Sequence, residues 1–285
     1  MKGQLAGHQF MIPPLPTGVS ITQVYTDMLG WLIKQTKEFF KESIPDGKSI
    51  WEKLSSRITF ILAIPNGWDI DCQHILWDAL TSSGNLSSAD EERLEFVTEG
   101  EASVQYVLKY AENKSGWLKE GLTIAVMDAG GSTVDSTLYV CKQITPTVQL
   151  EEVPGSECAL AGSVLVNQAM ERVLREILAG SRYSSDGYIS KMIAIFEKDV
   201  KPYFGDTQPP YLIEFGGPND DDQRFNIRGG DLALAERDIE RAFAGVIPRI
   251  EESCFRLFAR GTVEVCEVQT VNLDTASQLE TPSVC

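Results

Sequence analysis

Histidine is almost missing from this chain: its 285 residues include only His8 and His74. That scarcity excludes a histidine-rich metal centre and leaves Ser-His-Asp catalysis without support. The six cysteines, at positions 72, 141, 158, 254, 266 and 285, lie far apart with no Cys-x-x-Cys pair. They read as reduced core residues, so neither a disulfide framework nor a zinc site is expected. No apolar run reaches the length of about 18 residues that a membrane span needs. Met1-Lys2-Gly3-Gln4 also lacks the apolar core of a signal peptide, so a soluble cytoplasmic protein is expected. Basic residues are outnumbered, 25 against 41 acidic ones, for a net charge of −16. This balance argues against a nucleic-acid surface and against attraction to anionic membranes. Three motifs are absent as well. No Gly-x-Gly-x-x-Gly follows a strand, no Gly-x-x-x-x-Gly-Lys-Ser/Thr is present, and no Gly-x-Ser-x-Gly occurs. Dinucleotide, P-loop and hydrolase-elbow chemistry are thereby disfavoured.

What remains is ordinary globular material, 43% hydrophobic and 23% charged, enough for one large or two medium domains. Residues 1–18, with Pro13-Pro14-Leu15-Pro16, read as an extended lead-in. Thr17 to Ser20 offers N-caps for a helix to about Glu42, whose apolar pairs at near-helical spacing predict one buried side. Arg57 to Ile64 is a continuous apolar run, the pattern of a strand covered on both faces. Pro65-Asn66-Gly67 turns the chain into a helix over 69–80, then a strand over 94–98 and a helix over 99–111 follow. The polar segment Glu112 to Gly116 is the best domain boundary in the first half. In the second half, strands are expected near 147–153, 211–215, 225–228 and 263–271. Helices are expected over 160–178, 186–200 and 232–258, the last broken near Pro248. The acidic run Asp220-Asp221-Asp222 lacks the ligand spacing of a calcium loop and reads as a solvated turn. Strand–helix alternation in both halves predicts an α/β protein of two lobes. The expected division is a partial lobe I at 19–116 and a lobe II at 117–260, with a small subdomain at about 180–230 and a tail at 261–285.

The most informative stretch is Leu122 to Val140. Two β-rich runs flank the small turn Ala129-Gly130-Gly131-Ser132, the pattern of a hairpin. Gly130 and Gly131 let backbone N–H groups approach an anion closely. Asp128 and Asp135 bracket the turn, and Ser132 and Thr133 add hydroxyls. Carboxylates beside a phosphate-accepting turn make sense around a hard cation such as Mg²⁺. An ordinary hairpin turn explains the same residues, and on composition alone the two readings are balanced.

Asp128-Ala-Gly-Gly-Ser-Thr-Val-Asp135 resembles the second phosphate motif of the actin-like ATPase superfamily, Asp-x-Gly-Gly-Gly-Thr-x-Asp in the 70-kDa heat-shock chaperones. Phe96-Val-Thr-Glu-Gly-Glu-Ala-Ser103 is similar to that family's segment opening the helix before the hairpin, and it places Glu99 at the acidic position. Ala161-Gly162-Ser163 resembles the turn that opens the next helix, and Phe196-Glu197-Lys198 to Lys201 occupies the place of the adenine-sandwiching helix. Pro65-Asn-Gly-Trp68, Thr98-Glu-Gly-Glu-Ala-Ser103 and Arg228-Gly-Gly230 look like the divergent heat-shock 70 kDa protein 12A-like fungal branch. A sugar- or acetate-kinase reading shares the fold, but the Glu99 segment favours the chaperone-like branch.

The resemblance implies a two-lobed actin-like (ribonuclease H-like) ATPase fold that binds ATP or ADP with Mg²⁺. Asp128 would hold Mg²⁺ through water, and the amides of Gly130, Gly131 and Ser132 would take phosphate oxygens. The Thr133 hydroxyl would sit near the γ-phosphate, while Asp135 and Glu99 would orient the attacking water. Gly162, Glu197 and Lys201 would border the nucleotide. Protein clients or co-chaperones of unspecified identity are implied too. Two departures stand against this. Nothing in residues 1–60 matches the family's first phosphate motif, and no late Gly-Gly turn follows Phe258. The expectation is therefore an incomplete fold, truncated at both ends. Two functions stay open: an ATP-binding, chaperone-like ATPase domain, or a non-catalytic interaction module or truncated remnant with little or no nucleotide binding.

Overall fold

The structure, a computed structural model, describes residues 14–86, 88–110, 118–205 and 209–259. The expected strand at 263–271, the 261–285 tail, residues 1–13 of the lead-in and the Glu112–Gly116 boundary lie outside the described residues. The chain folds as a mixed α/β protein with three small sheets.

Helix α1 (Ile21–Ser43) starts where its cap was expected: Ser20 Oγ accepts the Gln23 N–H at 3.0 Å. One half of each apolar pair, Tyr25, Leu29, Ile33 and Phe40, turns toward the protein, where α1 packs against α3 (Ile70–Ser82). The other half stays exposed, with Phe39 at 65%, as does Trp31 at 59%. A short helix not foreseen from periodicity, α2 (Gly47–Leu54), follows at once. Gly47 permits this tight reversal, because a Cβ there would sit 2.2 Å from the Phe40 carbonyl oxygen.

Strands β1 (Phe60–Ile64) and β2 (Leu94–Thr98) pair in parallel, in register from Phe60↔Leu94 to Ile64↔Thr98. The apolar run of β1 predicts cover on both faces, but Ile61 is 62% exposed. Only two strands pair in this sheet among the described residues, and the Ile61 face carries no layer. Between the strands, α3 buries Leu76, Ala79 and Leu80, and a short helical turn, α4 (Ser88–Glu91), leads to β2. Helix α5 (Glu99–Tyr110) follows β2 without a break.

β3 (Thr123–Ala129), β4 (Val134–Gln143) and β5 (Gln149–Ala159) form an antiparallel meander. β5 runs well past the expected Val153, through Gly155 at φ +112. Helix α6 (Ser163–Ile177) crosses to α7 (Asp186–Ile195), which continues as a π-helical turn over Phe196–Val200. β6 (Tyr211–Glu214), β7 (Ile227–Arg228) and β8 (Asp231–Leu234) make the third sheet, in spatial order β6-β8-β7. Residues 232–258 are therefore not one helix. Leu232 and Leu234 point inward with period two, pairing across β6 with Ile213 and Tyr211. The helical part divides into α8 (Glu236–Phe243) and α9 (Ile247–Phe258), with Pro248 tolerated in the first turn of α9.

The acidic run is also more than a solvated turn. Asp220 accepts the Gly217 N–H at 2.8 Å and the Tyr183 hydroxyl at 3.1 Å, and these two bonds hold its carboxyl below the ordinary range. Asp221 accepts the Gly229 N–H at 2.9 Å, and Asp222 accepts the Ser181 hydroxyl at 3.0 Å. The three aspartates fasten a loop whose glycines, Gly229 and Gly230, take positive φ.

The main core joins α6, α7, the third sheet and α8, with Met170, Leu174, Phe196, Phe215 and Ile239 fully buried. Leu174→Ala is expected to lower unfolding free energy by ~2–5 kcal/mol in urea titrations. Trp31→Ala, on the open side of α1, is expected to change it by less than about 1 kcal/mol.

Candidate functional site

The hairpin forms with Asp128 opposite Asp135 and Ala129 opposite Val134, leaving Gly130 to Thr133 as the turn. The Gly130 N–H closes the turn on the Thr133 carbonyl at 2.9 Å. The start of α6 then grips the turn from outside. Gly162 N–H donates to Ser132 O at 3.0 Å, Ser163 N–H to Gly130 O at 3.0 Å, and Val164 N–H to Gly131 O at 2.9 Å. These α6 amides lack intrahelical partners and would otherwise be a ready anion site. Here the turn carbonyls occupy them. The contact needs glycine at position 162, where a Cβ would lie 2.2 Å from Gly131 O. Gly130, expected among the phosphate donors, has its amide engaged inside the turn. The amides of Gly131, Ser132 and Thr133 take no hydrogen-bond partner among the described residues. Three adjacent donors thus stand on a turn that is held from behind.

Carboxylates gather beside it. Asp135 is 2% exposed; its Oδ1 accepts the Asn66 N–H at 2.9 Å, while Oδ2 is buried without a partner. Asp128 Oδ2 accepts the Ser103 hydroxyl at 2.9 Å. Glu99 opens α5, and burial, then the negative charges of Asp135 and Asp128, push its carboxyl above the ordinary range. Cys158 stands opposite Asp135 on β5. Burial first, and Asp135 second, push its thiol up to about 12, so it is a neutral wall rather than a nucleophile.

Among the described residues, no group of three or more His, Cys, Asp and Glu side chains is placed to hold a metal ion directly. Mg²⁺ suits such a site only with its waters retained, and it dehydrates reluctantly. An unpartnered buried oxygen on Asp135 and a Glu99 carboxyl raised by burial and then by its acidic neighbours are features that a hydrated cation would relieve.

Glu197 and Lys201 meet at Asn167, one turn further along α6. Asn167 Nδ2 donates to Glu197 Oε1 at 2.7 Å, Lys201 Nζ donates to Asn167 Oδ1 at 2.9 Å, and Lys201 and Glu197 are 3.6 Å apart. The π-helical turn before Lys201 brings these two side chains to Asn167. Asn167 lies one turn, about 6 Å, along α6 from Ser163. The Glu197–Lys201 pair and the hairpin turn are therefore tied to one rigid helix.

Sequence reasoning passed over Asn66, Ser103, Cys158 and Asn167. Ser103 and Asn167 carry a usable signal, since each stands four residues after a site residue on the same helical face (Glu99 and Ser163). Cys158 and Asn66 reach the site through long-range pairing, which leaves no local trace.

No family model and no curated protein matches the chain. Among solved structures it is similar to a "pCBH ParM non-polymerisable quadruple mutant", at 14% identity and a TM-score of 0.49. The match covers 70% of this chain and 53% of that one, so this chain spans about half the length of that structure.

A raised Glu99 carboxyl means that the native state binds the proton more tightly than the unfolded chain, so its contribution to stability is lost as pH rises through the raised value. Glu99→Gln is therefore expected to raise the melting temperature at pH 7 in metal-free buffer. The gain should fade below the ordinary glutamate value of 4.5, where both states are neutral. Thermal unfolding across that pH range checks it.

Proposed function

We propose that this chain is an ATP-binding, chaperone-like domain of the actin-like ATPase fold, built as part of a 19–116 lobe I and a 117–260 lobe II. The observation that carries this reading is the turn: three unpartnered amides, clamped by α6, beside Asp128, Asp135 and Glu99. Phosphate oxygens would take the amides of Gly131, Ser132 and Thr133, with Gly130 supplying room rather than a donor. Asp128 would hold Mg²⁺ through water, and the ion would neutralise charge on the phosphates. The Thr133 hydroxyl would stand near the γ-phosphate. Glu99 and the buried Asp135 would orient a water for in-line attack, a catalysis of positioning and electrostatics. Gly162 would keep α6 against the turn, and Glu197 and Lys201 would border the base and ribose.

The four described free cysteines, Cys72, Cys141, Cys158 and Cys254, fit a reducing cytoplasmic setting. No described helix is long and apolar enough to cross a membrane.

A second reading, a non-catalytic interaction module, is favoured by the exposed apolar residues of α1 and by Ile61. The two readings separate on the nucleotide: a chain that binds little or no Mg-ATP supports the module.

Binding strength follows from the donors present. With one phosphate hairpin in the sequence rather than two, several charge-assisted hydrogen bonds of about 1.5–3 kcal/mol each are missing. Affinity for Mg-ATP should therefore lie near about 1 mM rather than in the micromolar range. Calorimetry at millimolar Mg-ATP is expected to show binding by the parent chain and at least about tenfold weaker binding by Asp128→Ala. No heat from the parent would sink the nucleotide reading. An unchanged Asp128→Ala would sink the placement of the site.

A further inference from the structure

Asn66 belongs to no phosphate motif, yet two other segments of the chain, α5 and β4, bond to it. It sits in the Pro65-Asn66-Gly67 turn that links β1 to α3. Its backbone N–H donates to Asp135 Oδ1 at 2.9 Å, and its Nδ2 donates to the Thr137 hydroxyl on β4. Its Oδ1 accepts the Gly100 N–H at 3.0 Å. Gly100 is the second residue of α5, next to Glu99, and its amide has no intrahelical acceptor. Asn66 therefore caps the Glu99 helix from a different segment while holding the Asp135 strand with the rest of its polar groups.

The local sequence fits this task. The planar amide offers a donor and an acceptor together, and an amide N–H at Gly100 can be served only by the oxygen. Gly100 gives the side chain room: a Cβ there would lie 2.7 Å from Asn66 Nδ2 and 3.2 Å from Thr137 Oγ1. On the opposite side, Gly67 lets the turn approach β5, since its Cβ would fall 2.8 Å from that of Cys158. The turn thus runs between α5 and the meander, and Asn66 is the residue in it that bonds to both.

We propose that Asn66 is the positioning residue that sets Glu99 and Asp135 against each other across the two parts of the site. Without it, α5 keeps the Ser103–Asp128 bond to the meander but loses its link to Asp135, and the two carboxylates no longer serve one hydrated cation or one water. This inference rests on the Mg-nucleotide reading of the hairpin.

The test uses the full chain as parent, Asn66→Ala, Gly100→Ala and Leu80→Val. Leu80 is in the core of α3 and bonds to nothing in the site, so its variant reports the effect of lost stability alone. Mg-ATP affinity is measured by calorimetry, melting temperature by thermal denaturation, and hydrogen exchange at the Gly100 amide by NMR. Asn66→Ala and Gly100→Ala, which breaks the same contact from the helix side, are each expected to weaken Mg-ATP about tenfold. Exchange at Gly100 should accelerate by a similar factor in Asn66→Ala. Leu80→Val should lower the melting temperature with affinity within about twofold of the parent.

If the parent binds and Asn66→Ala binds equally well, the positioning role is overturned while the hairpin reading stands. If Leu80→Val loses as much affinity as Asn66→Ala, the effect is general destabilisation and the proposal is overturned. If the parent gives no heat, the nucleotide reading falls and this inference falls with it.

Discussion

The three hydrogen bonds from the start of α6 to the carbonyls of Gly130, Gly131 and Ser132 are the constraint on which the site depends. They satisfy two needs at once. The helix gains acceptors for amides that lack intrahelical partners, and a four-residue turn gains a fixed shape. Glycine at 162 allows the backbones to approach this closely. A consequence is that the helix terminus itself is not the anion site. Its donors face the turn, and the turn in turn offers the donors of Gly131, Ser132 and Thr133.

Charge makes the same point from another direction. A chain with net charge −16 cannot draw a polyphosphate by its overall field. In the proposed reading, attraction would come from backbone dipoles at short range, together with a cation that reconciles phosphate with Asp128, Asp135 and Glu99. Asp135 has the Asn66 amide and the neutral Cys158 thiol beside it but, among the described residues, no cation, and Glu99 is raised by burial and then by the carboxylates near it. Such an arrangement is costly without a positive partner and is relieved by one. The Glu197–Lys201–Asn167 cluster is different, because its charges are already paired. It gives shape to the next turn of α6 rather than a demand for an ion.

How much of this was readable from sequence depended on range. The hairpin was legible because two β-rich runs flank paired glycines, and α1 because Ser20 precedes a helical pattern. β8 was not: Asp231-Leu-Ala-Leu234 is too short for its period of two to stand out from the helix after it. The aspartates at 220–222 looked solvated because their partners, Tyr183, Gly217, Gly229 and Ser181, are mostly distant in sequence. Asn66 is the extreme case. It was legible only as a turn residue, while its bonds reach to Gly100, Asp135 and Thr137. The apolar run of β1 misled in the opposite sense, since periodicity reports what a strand is able to bury and not whether a layer covers it.

The central claim is that the backbone of one turn receives phosphate. Amide chemical shifts of the ¹⁵N-labelled chain, titrated with Mg-ATP and separately with adenosine, test it most directly. The account predicts that the Gly131, Ser132 and Thr133 amides shift with Mg-ATP and not with adenosine, while Gly130, bonded to Thr133 O, shifts least. Saturating Mg-ATP that leaves those three amides in place, or moves Gly130 as far as its neighbours, would contradict it.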